Sequence, residues 1–223
     1  MPEYAAPLVV GPKDNAQAVV IWLHGLGAHG SDFIDAIAPL GLPEDIRFIL
    51  PHAPQAPVTI NGGWVMPSWY DILSASPTRL IDEGSLKESV AYVHQLIEAQ
   101  LDTGIPAERI FIFGFSQGGA LAYQSAMTFD QPLGGLVTLS TYIPLIERFD
   151  EVLSASVQSE ALPVWIGHGR QDDVVPMSLG EDAYQCLVAN GLTPQWQTYD
   201  MGHSLCLEQL TDLGRWMKQQ LPS

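Results

Sequence analysis

Three side chains that lie far apart in the sequence have the types needed to make a hydroxyl group reactive. Ser116, Asp172 and His203 follow one another along the chain in that order. A serine hydroxyl is a poor nucleophile near neutral pH until an imidazole accepts its proton. A carboxylate bonded to the other imidazole nitrogen holds the ring in the required tautomer. If the fold brings them together, these side chains predict attack on a carbonyl carbon through a covalent intermediate.

The surroundings of Ser116 predict how its hydroxyl is presented. Ser116 is the central residue of the pattern Gly-x-Ser-x-Gly, which spans residues 114–118. An apolar run with the length of a buried strand, residues 110–113, precedes the pattern, and Ala120 follows it in an expected helix. This order is typical of a nucleophile elbow, a tight turn that raises the serine above a sheet. The same pattern also occurs by chance, so the other motifs must decide.

Two backbone amides are candidates for stabilising a developing oxyanion. The amide of Gln117 lies at the N-terminus of the expected helix, where free N–H groups point outward. The second candidate is the amide of Leu26, in a His-Gly-x-Gly loop (residues 24–27) that follows an apolar run (residues 18–23). A loop of this kind supplies the second amide in α/β hydrolases. We interpret His24 as a residue that braces the loop.

The same loop also satisfies a nucleotide-binding pattern. Gly25, Gly27 and Gly30 match G-x-G-x-x-G directly after a predicted strand. Dinucleotide binding requires an acidic residue at the end of the next strand, about 20 residues further on. The next predicted strand, residues 46–50, ends instead at a Pro-His pair. We therefore expect no dinucleotide and no other cofactor.

Other residues compete for places in the candidate site. Asp173 adjoins Asp172, and we favour Asp172 because the next residues can then lead the chain away from the sheet. His203 is preferred among four histidines at strand ends because it follows both the serine and the acid. Cys206 could supply a thiol nucleophile, but no elbow surrounds it. The sequence has no metal-binding spacing of Cys and His, so we expect no metal.

Composition excludes several classes of function. A chain of 223 residues is most simply one domain, spanning residues 1–223. Its 25 acidic and 9 basic residues give a net charge of −16, which repels phosphate backbones, so we expect no nucleic-acid partner. No apolar run is long enough for a transmembrane helix, so we expect no integral membrane association. The N-terminal residues lack the features of a secretory signal and two cysteines form no disulfide framework, which predicts a cytoplasmic location.

Strands and helices are expected to alternate along the chain. Apolar runs predict strands at residues 7–10, 18–23, 46–50, 110–114, 135–140, 163–166 and 195–199. Helices are predicted to begin at Ser31, after Gln117, and at two capping boxes whose first residues are Ser85 and Ser178. The alternation predicts an α/β fold with a mainly parallel central sheet and helices on both faces. The candidate catalytic residues would then lie together at the carboxyl ends of the strands.

Residues 52–84 form a long connection rich in proline, glycine and aromatic residues. Connections of this length without regular structure are usually functional or disordered. Trp64, Met66, Trp69 and Tyr70 argue against disorder, because these side chains would be left in water. They either cover a satellite core or form an apolar wall beside Ser116. Met66 and Trp69 are our preferred candidates for a substrate-binding wall.

The motifs taken together resemble a known family. They are Leu-His-Gly-Leu-Gly (23–27), Pro-Val-Thr-Ile-Asn-Gly-Gly (57–63), Met-Pro-Ser-Trp-Tyr-Asp-Ile (66–72), Gly-Phe-Ser-Gln-Gly-Gly-Ala (114–120), Gly-His-Gly-x-Gln-Asp-Asp-Val-Val-Pro (167–176) and Met-Gly-His (201–203). This combination resembles the carboxylesterase/acyl-protein thioesterase (phospholipase/carboxylesterase) family from about residue 7 onward. The chain departs from the pattern at Ala56, where many members carry arginine, so a role of this loop in recognising anions is in doubt.

The resemblance carries several implications for fold and function. It implies an α/β-hydrolase fold without a large lid domain, and it supports Asp172 over Asp173 as the acid. It also implies hydrolysis of short- to medium-chain esters, with small-molecule or lipid-like substrates, and homodimers are common in the family. Acylated proteins, cleaved at a thioester, and lysophospholipids are alternative substrates. A noncatalytic binding protein with a hydrolase fold is the alternative from another class, and the complete set of three side chains argues against it.

Overall fold

A seven-stranded sheet forms the centre of the molecule. The computed structural model describes residues 3–75, 79–159 and 162–221. The strands of this sheet are β1 (Leu8–Val10), β2 (Ala18–Leu23), β3 (Ile46–Leu50), β8 (Ile110–Phe115), β9 (Gly135–Leu139), β10 (Val164–Gly169) and β11 (Gln195–Tyr199). Their spatial order is β1-β3-β2-β8-β9-β10-β11. Only β1 is antiparallel to its neighbour, so the sheet is mainly parallel, as predicted.

Helices cover both faces of the sheet. The α-helices are α1 (Ile34–Ile37), α2 (Glu83–Leu101), α3 (Gln117–Thr128), α4 (Phe149–Val152), α5 (Ala155–Ser159), α6 (Met177–Ala189) and α7 (Leu207–Gln220). Strand β2 shows how the sheet separates two cores. Val19 and Ile21 pack in one hydrophobic cluster with residues of α2, α3 and α6, whereas Val20 and Trp22 pack in a second cluster with residues of α1 and α7. Successive side chains of a strand point to opposite faces, so an uninterrupted apolar run requires cover on both sides.

The connection between β3 and α2 contains more regular structure than the sequence predicts. Its described part forms two small antiparallel sheets, one of β4 (Gln55–Val58) with β5 (Trp64–Pro67) and one of β6 (Ile72–Ser74) with β7 (Leu80–Ile81). Residues 76–78 of this connection lie outside the described residues, as do residues 160–161 further along the chain. The four strands are only two to four residues long, and those of the first hairpin contain Pro57 and Pro67, so the sequence shows no clear alternating pattern there.

The predicted starts of three helices are wrong by a few residues. Asp82 precedes α2 and accepts a hydrogen bond from the amide of Ser85, so the helix begins before Ser85. Helix α6 begins at Met177, directly after Pro176, without a side-chain cap. Near Ser31 the chain forms a 3-10 helix from Gly30 to Phe33 before α1. Each region offers several residues that can end or cap a helix, so the sequence pattern leaves the boundary ambiguous.

Candidate active site

The turn between β8 and α3 holds Ser116 in a strained backbone conformation. Its φ and ψ angles are 53° and −121°, in a region that L-residues rarely adopt. The amide of Ser116 donates to the carbonyl of Leu139, and its carbonyl accepts from the hydroxyl of Thr141 at 2.6 Å. A Cβ atom at Gly118 would lie 2.3 Å from the carbonyl oxygen of Leu23. The turn is therefore fixed by its hydrogen bonds and by close packing against the end of β2, as a nucleophile elbow requires.

The structure brings Ser116, His203 and Asp172 into one hydrogen-bonded chain. The hydroxyl of Ser116 donates to Nε2 of His203 over 2.9 Å, and Nδ1 of His203 donates to Oδ2 of Asp172 over 2.8 Å. The Asp172 side chain is fully buried, whereas 15% of the His203 side chain remains exposed. The three residues follow β8, β10 and β11, so the carboxyl edge of the sheet brings them together. This arrangement can transfer the serine proton to imidazole while the carboxylate orients the ring.

Backbone amides hold Asp172 in place. Its Oδ1 accepts from the amides of Val174 and Val175, at 3.0 and 2.8 Å, which leaves Oδ2 for His203. Asp173 is exposed. The turn after β10 thus presents only the first of the two adjacent carboxylates to the imidazole.

A second buried histidine lies close to the same carboxylate. Nε2 of His168 donates to the carbonyl of Val175 at 2.8 Å and lies 3.6 Å from Oδ2 of Asp172. Burial lowers the pKa of His168 because the charged imidazole loses its hydration. A neutral His168 does not compete with His203 for the carboxylate.

His24 braces the loop that carries Leu26, as predicted. Its Nδ1 donates to the carbonyl of Gly25 at 2.8 Å, and its Nε2 accepts from the amide of Ala53 at 3.0 Å. Burial lowers the pKa of His24 to about 4. Protonation of Nε2 would place an N–H group against the donating amide of Ala53. The site therefore suits a neutral His24 that braces the loop, and it does not suit a general base.

The two candidate oxyanion donors both line the cavity beside Ser116. Among the described residues, neither the amide of Leu26 nor that of Gln117 hydrogen-bonds another protein group. The Gln117 amide is free because it is the first of α3, where no carbonyl lies one turn earlier. The neighbouring amide of Gly27 donates to the carbonyl of Pro67, which fixes the loop next to Leu26. These positions allow both amides to donate to the oxygen of a tetrahedral intermediate.

The side chain of Gln117 has a structural role that sequence reasoning missed. Its Oε1 accepts from the amide of Trp69 at 3.0 Å, and its Nε2 donates to the carbonyl of Tyr70 at 2.7 Å. The indole of Trp69 in turn donates to the carbonyl of His24 at 2.8 Å. These bonds join the elbow, the aromatic connection and the Leu26 loop. The only signal in the sequence for this role is an amide side chain directly after the serine.

An apolar cavity of about 340 Å³ opens beside Ser116. Its described walls come from the Leu26 loop, both small hairpins, the elbow and the turn after Asp172, and include Leu26, Ile60, Ile72, Phe115, Val174 and Val175. The two predicted wall residues are absent from this lining. Trp69 is buried, and the centre of its ring lies 4.9 Å from that of His24. The sulfur of Met66 accepts a hydrogen bond from Nδ2 of Asn61 at 3.4 Å. The structure therefore assigns Trp69 to the core of the connection, and the sequence could not give the direction of these side chains.

The described residues form neither a metal site nor a membrane-spanning helix. The part of the chain that the structure describes contains no group of three His, Cys, Asp or Glu side chains arranged to hold a metal ion. No helix in that part is long and apolar enough to cross a membrane. Cys186 and Cys206 are free, and the sulfur of Cys206 accepts from the amide of Gln209 at the start of α7.

The mainly parallel sheet, the elbow, and the three residues joined by two hydrogen bonds at the carboxyl edge of the sheet define an α/β hydrolase. A sequence profile of the phospholipase/carboxylesterase family matches residues 4–221. The chain belongs to this family, which confirms the resemblance and the fold class predicted from its motifs.

Individual relatives agree with this assignment. The chain is 38% identical to acyl-protein thioesterase 1 of Neurospora crassa, over 97% of this chain and 92% of the relative. It is 36% identical to acyl-protein thioesterase 1 of Gibberella zeae, over 97% and 96%. The crystal structure of acyl-protein thioesterase 2 of Zea mays matches with a TM-score of 0.88 and 29% identity, covering 98% of this chain and all of that one. The chain is thus similar to hydrolases along almost its whole length.

Proposed function

We propose that this hydrolase cleaves carboxylic esters of short to medium acyl chains through an acyl-enzyme intermediate on Ser116. The observation that carries the proposal is the unbroken hydrogen-bonded chain from Ser116 through His203 to Asp172. The strained elbow presents the serine, and the free amides of Leu26 and Gln117 lie in the same cavity. The apolar walls and the volume of about 340 Å³ suit an acyl chain of limited length.

In this reaction Ser116 Oγ attacks the carbonyl carbon while its proton moves to Nε2 of His203. The oxyanion accepts hydrogen bonds from the amides of Leu26 and Gln117. Collapse of the tetrahedral intermediate breaks the bond to the leaving group, which takes the proton from His203. A water molecule then attacks the acyl-enzyme and gives its proton to His203. When this second tetrahedral intermediate collapses, the bond between the acyl carbon and Ser116 Oγ breaks, His203 returns the proton to that oxygen, and the carboxylic acid leaves. The Asp172 carboxylate stabilises the imidazolium that forms twice in the cycle.

Thioester cleavage on acylated proteins is a second candidate function. Relatives that are named acyl-protein thioesterases, at 36–38% identity, support it. The same residues would act in the same order, with a thiolate as the leaving group. The two candidates differ in the substrate and share the acyl-enzyme.

The test is a panel of matched oxygen esters and thioesters of graded acyl length, with short lysophospholipids included. Carboxylesterase function predicts the highest kcat/KM for short or medium oxygen esters. A higher kcat/KM for long-chain thioesters would contradict this function and support thioester cleavage instead. In either case Ser116→Ala should lower kcat by a factor on the order of 10⁴–10⁶. Activity that survives this substitution would contradict both proposals.

Three other features remain predictions. We propose one domain over residues 1–223, a cytoplasmic location and a homodimer. Sedimentation analysis at several protein concentrations tests the homodimer, and limited proteolysis tests the single domain.

A further inference from the structure

The cavity beside Ser116 contains one positively charged wall residue. Arg79 directly precedes β7 and lines the cavity together with Ala75 and Ile72. Among the described residues that line this cavity, Arg79 is the only Lys, Arg, Asp or Glu. The whole chain has only nine Lys and Arg residues, and its net charge is −16. A lone positively charged residue in the wall of a mainly apolar substrate cavity therefore calls for a specific explanation.

The guanidinium of Arg79 lies on a rigid aromatic support. Its Cζ atom lies 4.3 Å from the centre of the Tyr142 ring, a distance typical of cation–π contacts. The hydroxyl of Tyr142 is hydrogen-bonded to that of Tyr70 over 2.7 Å, and both tyrosines are buried. The ring thus has little freedom to move, and the planar guanidinium above it is held in one orientation.

This guanidinium lacks a carboxylate partner. In the described part of the chain no Asp or Glu oxygen lies within 4 Å of it, and its buried Nε has no hydrogen-bond partner. Arg79 as a whole is half-buried and its side chain also bonds the Tyr142 hydroxyl, but buried polar atoms such as its Nε nearly always have a partner in proteins. The location of Arg79 in the cavity wall is one observation that points to a ligand. The N–H group without a partner is a second and independent one.

A neighbouring cavity indicates on which side of Arg79 an anion would bind. Arg79 and Ala75 also line a second cavity of about 410 Å³, whose walls include Glu83, Glu147 and Asp182. These carboxylates disfavour an anion there, although Glu83 is paired with Arg148 at 2.7 Å. The described walls of the cavity beside Ser116 contain no carboxylate. An anion is therefore favoured on the side that faces the catalytic serine.

We propose that Arg79 binds an anionic group, a carboxylate or a phosphate, carried by the substrate away from its scissile carbonyl. The planar guanidinium suits both anions because it can donate two parallel hydrogen bonds. This inference rests on the proposed function and narrows its substrate class to esters with an anionic end. The field of the protein repels free anions at long range, so the local charge of Arg79 is needed to hold one in the cavity.

The test compares two pairs of matched esters. On the acyl side, the mono-p-nitrophenyl ester of adipic acid is compared with p-nitrophenyl hexanoate. On the alcohol side, the butyrate ester of glycerol 3-phosphate is compared with the butyrate ester of glycerol. Arg79→Gln should lower kcat/KM for the anionic member of at least one pair about 10- to 100-fold, mainly through KM. The neutral member should change by less than about twofold, and Arg79→Lys should restore part of the preference because it keeps the charge without the planar fork.

Arg215→Gln is the matched control, because it removes the same charge from an exposed side chain on α7 that pairs with Asp212. It should leave the ratio of kcat/KM between the anionic and the neutral ester unchanged in both pairs. An equal loss for the charged and neutral members in Arg79→Gln would make Arg79 a structural residue and overturn the proposal. Equal kcat/KM values within both pairs, unaffected by Arg79→Gln, would overturn it as well.

Calorimetric titration of the Ser116→Ala protein with the intact anionic esters separates this proposal from the proposed function. It measures binding without turnover. The proposal predicts weaker binding when Arg79→Gln is added, even for an ester that the wild-type protein fails to hydrolyse. Binding unaffected by this second substitution would overturn the anion site, whereas absence of hydrolysis alone would overturn the proposed function.

Discussion

At the scale of single residues, Asp172 and Asp173 differ in what surrounds them rather than in chemistry. The Asp172 side chain is fully buried, and its two oxygens accept from two backbone amides and from His203. Asp173 is exposed to solvent. Only the first carboxylate can hold the imidazole in the tautomer that accepts the serine proton.

The pair allows a matched test of this difference. Asp172→Asn should lower kcat by about 10⁴, because the amide favours the wrong imidazole tautomer. Asp173→Asn removes the same charge one residue away and should change kcat by less than about twofold. Steady-state kinetics on a neutral ester measures both. The assignment of the acid is wrong if Asp173→Asn is the more damaging substitution.

His24 should make the stability of the protein dependent on pH. Burial lowers its pKa from 6.5 to about 4, so the unfolded chain binds a proton that the folded chain does not between these values. Stability is therefore complete above about pH 6.5 and is lost as pH falls toward 4, by about 3 kcal/mol in the limit. Urea unfolding of the wild-type protein and of His24→Asn at pH 4.5 and 7 measures this change. The substitution should reduce the difference between the two pH values, and an unchanged difference would count against the buried neutral ring.

At the scale of elements, the elbow depends on how closely α3 approaches the end of β2. Gly118, the second residue of α3, has no room for a side chain, because a Cβ atom would lie 2.3 Å from the Leu23 carbonyl and 2.4 Å from the His24 carbonyl. Both carbonyls belong to backbone that cannot move without shifting the Leu26 loop. The same close packing thus positions the serine and one oxyanion donor.

Alanine substitutions in two helices test this dependence. Gly118→Ala should destabilise the protein by about 1–3 kcal/mol and lower kcat, because α3 or the Leu26 loop must shift. Gly84→Ala is the matched control, at the second position of α2, where the nearest atom to the new Cβ would be 3.4 Å away. It should be neutral or stabilise the protein by about 0.4–1 kcal/mol. Thermal unfolding and ester hydrolysis measure both, and equal effects would refute the packing argument.

The elements also show which parts of the fold the sequence can predict. The bounds of β2, β3 and β11 agree with prediction, because each is a distinct run of strand-forming residues that ends at turn residues. The order of Ser116, Asp172 and His203 along such strands was enough to predict that they meet. The hairpins between β3 and α2 were missed, because their strands are too short to show an alternating pattern. The direction of Trp69 and the position of Arg79 in the cavity wall could not be predicted either, since no local pattern determines which way a side chain points in a loop.

At the scale of the whole molecule, the acidic surface governs solution behaviour. The net charge of −16 at pH 7 and the isoelectric point of about 4.4 imply strong mutual repulsion at neutral pH. This repulsion favours solubility and opposes association with nucleic acids. It does not act on neutral esters, which can enter the apolar cavity without an electrostatic barrier.

Solubility should therefore have a minimum near pH 4.4, where the net charge vanishes. The loss of stability that we expect from His24 in the same range should strengthen aggregation there. Light scattering as a function of pH, with and without added salt, measures the effect. A solubility minimum near neutral pH would show that a feature other than net charge controls association.

The central claim is that Ser116 forms a covalent bond to the substrate with the help of His203. Reaction with a fluorophosphonate, followed by peptide mapping in a mass spectrometer, tests it most directly. The account predicts one adduct, located on Ser116, that is absent in Ser116→Ala and forms far more slowly in His203→Ala. An adduct on another residue, or an active protein that carries none, would contradict it.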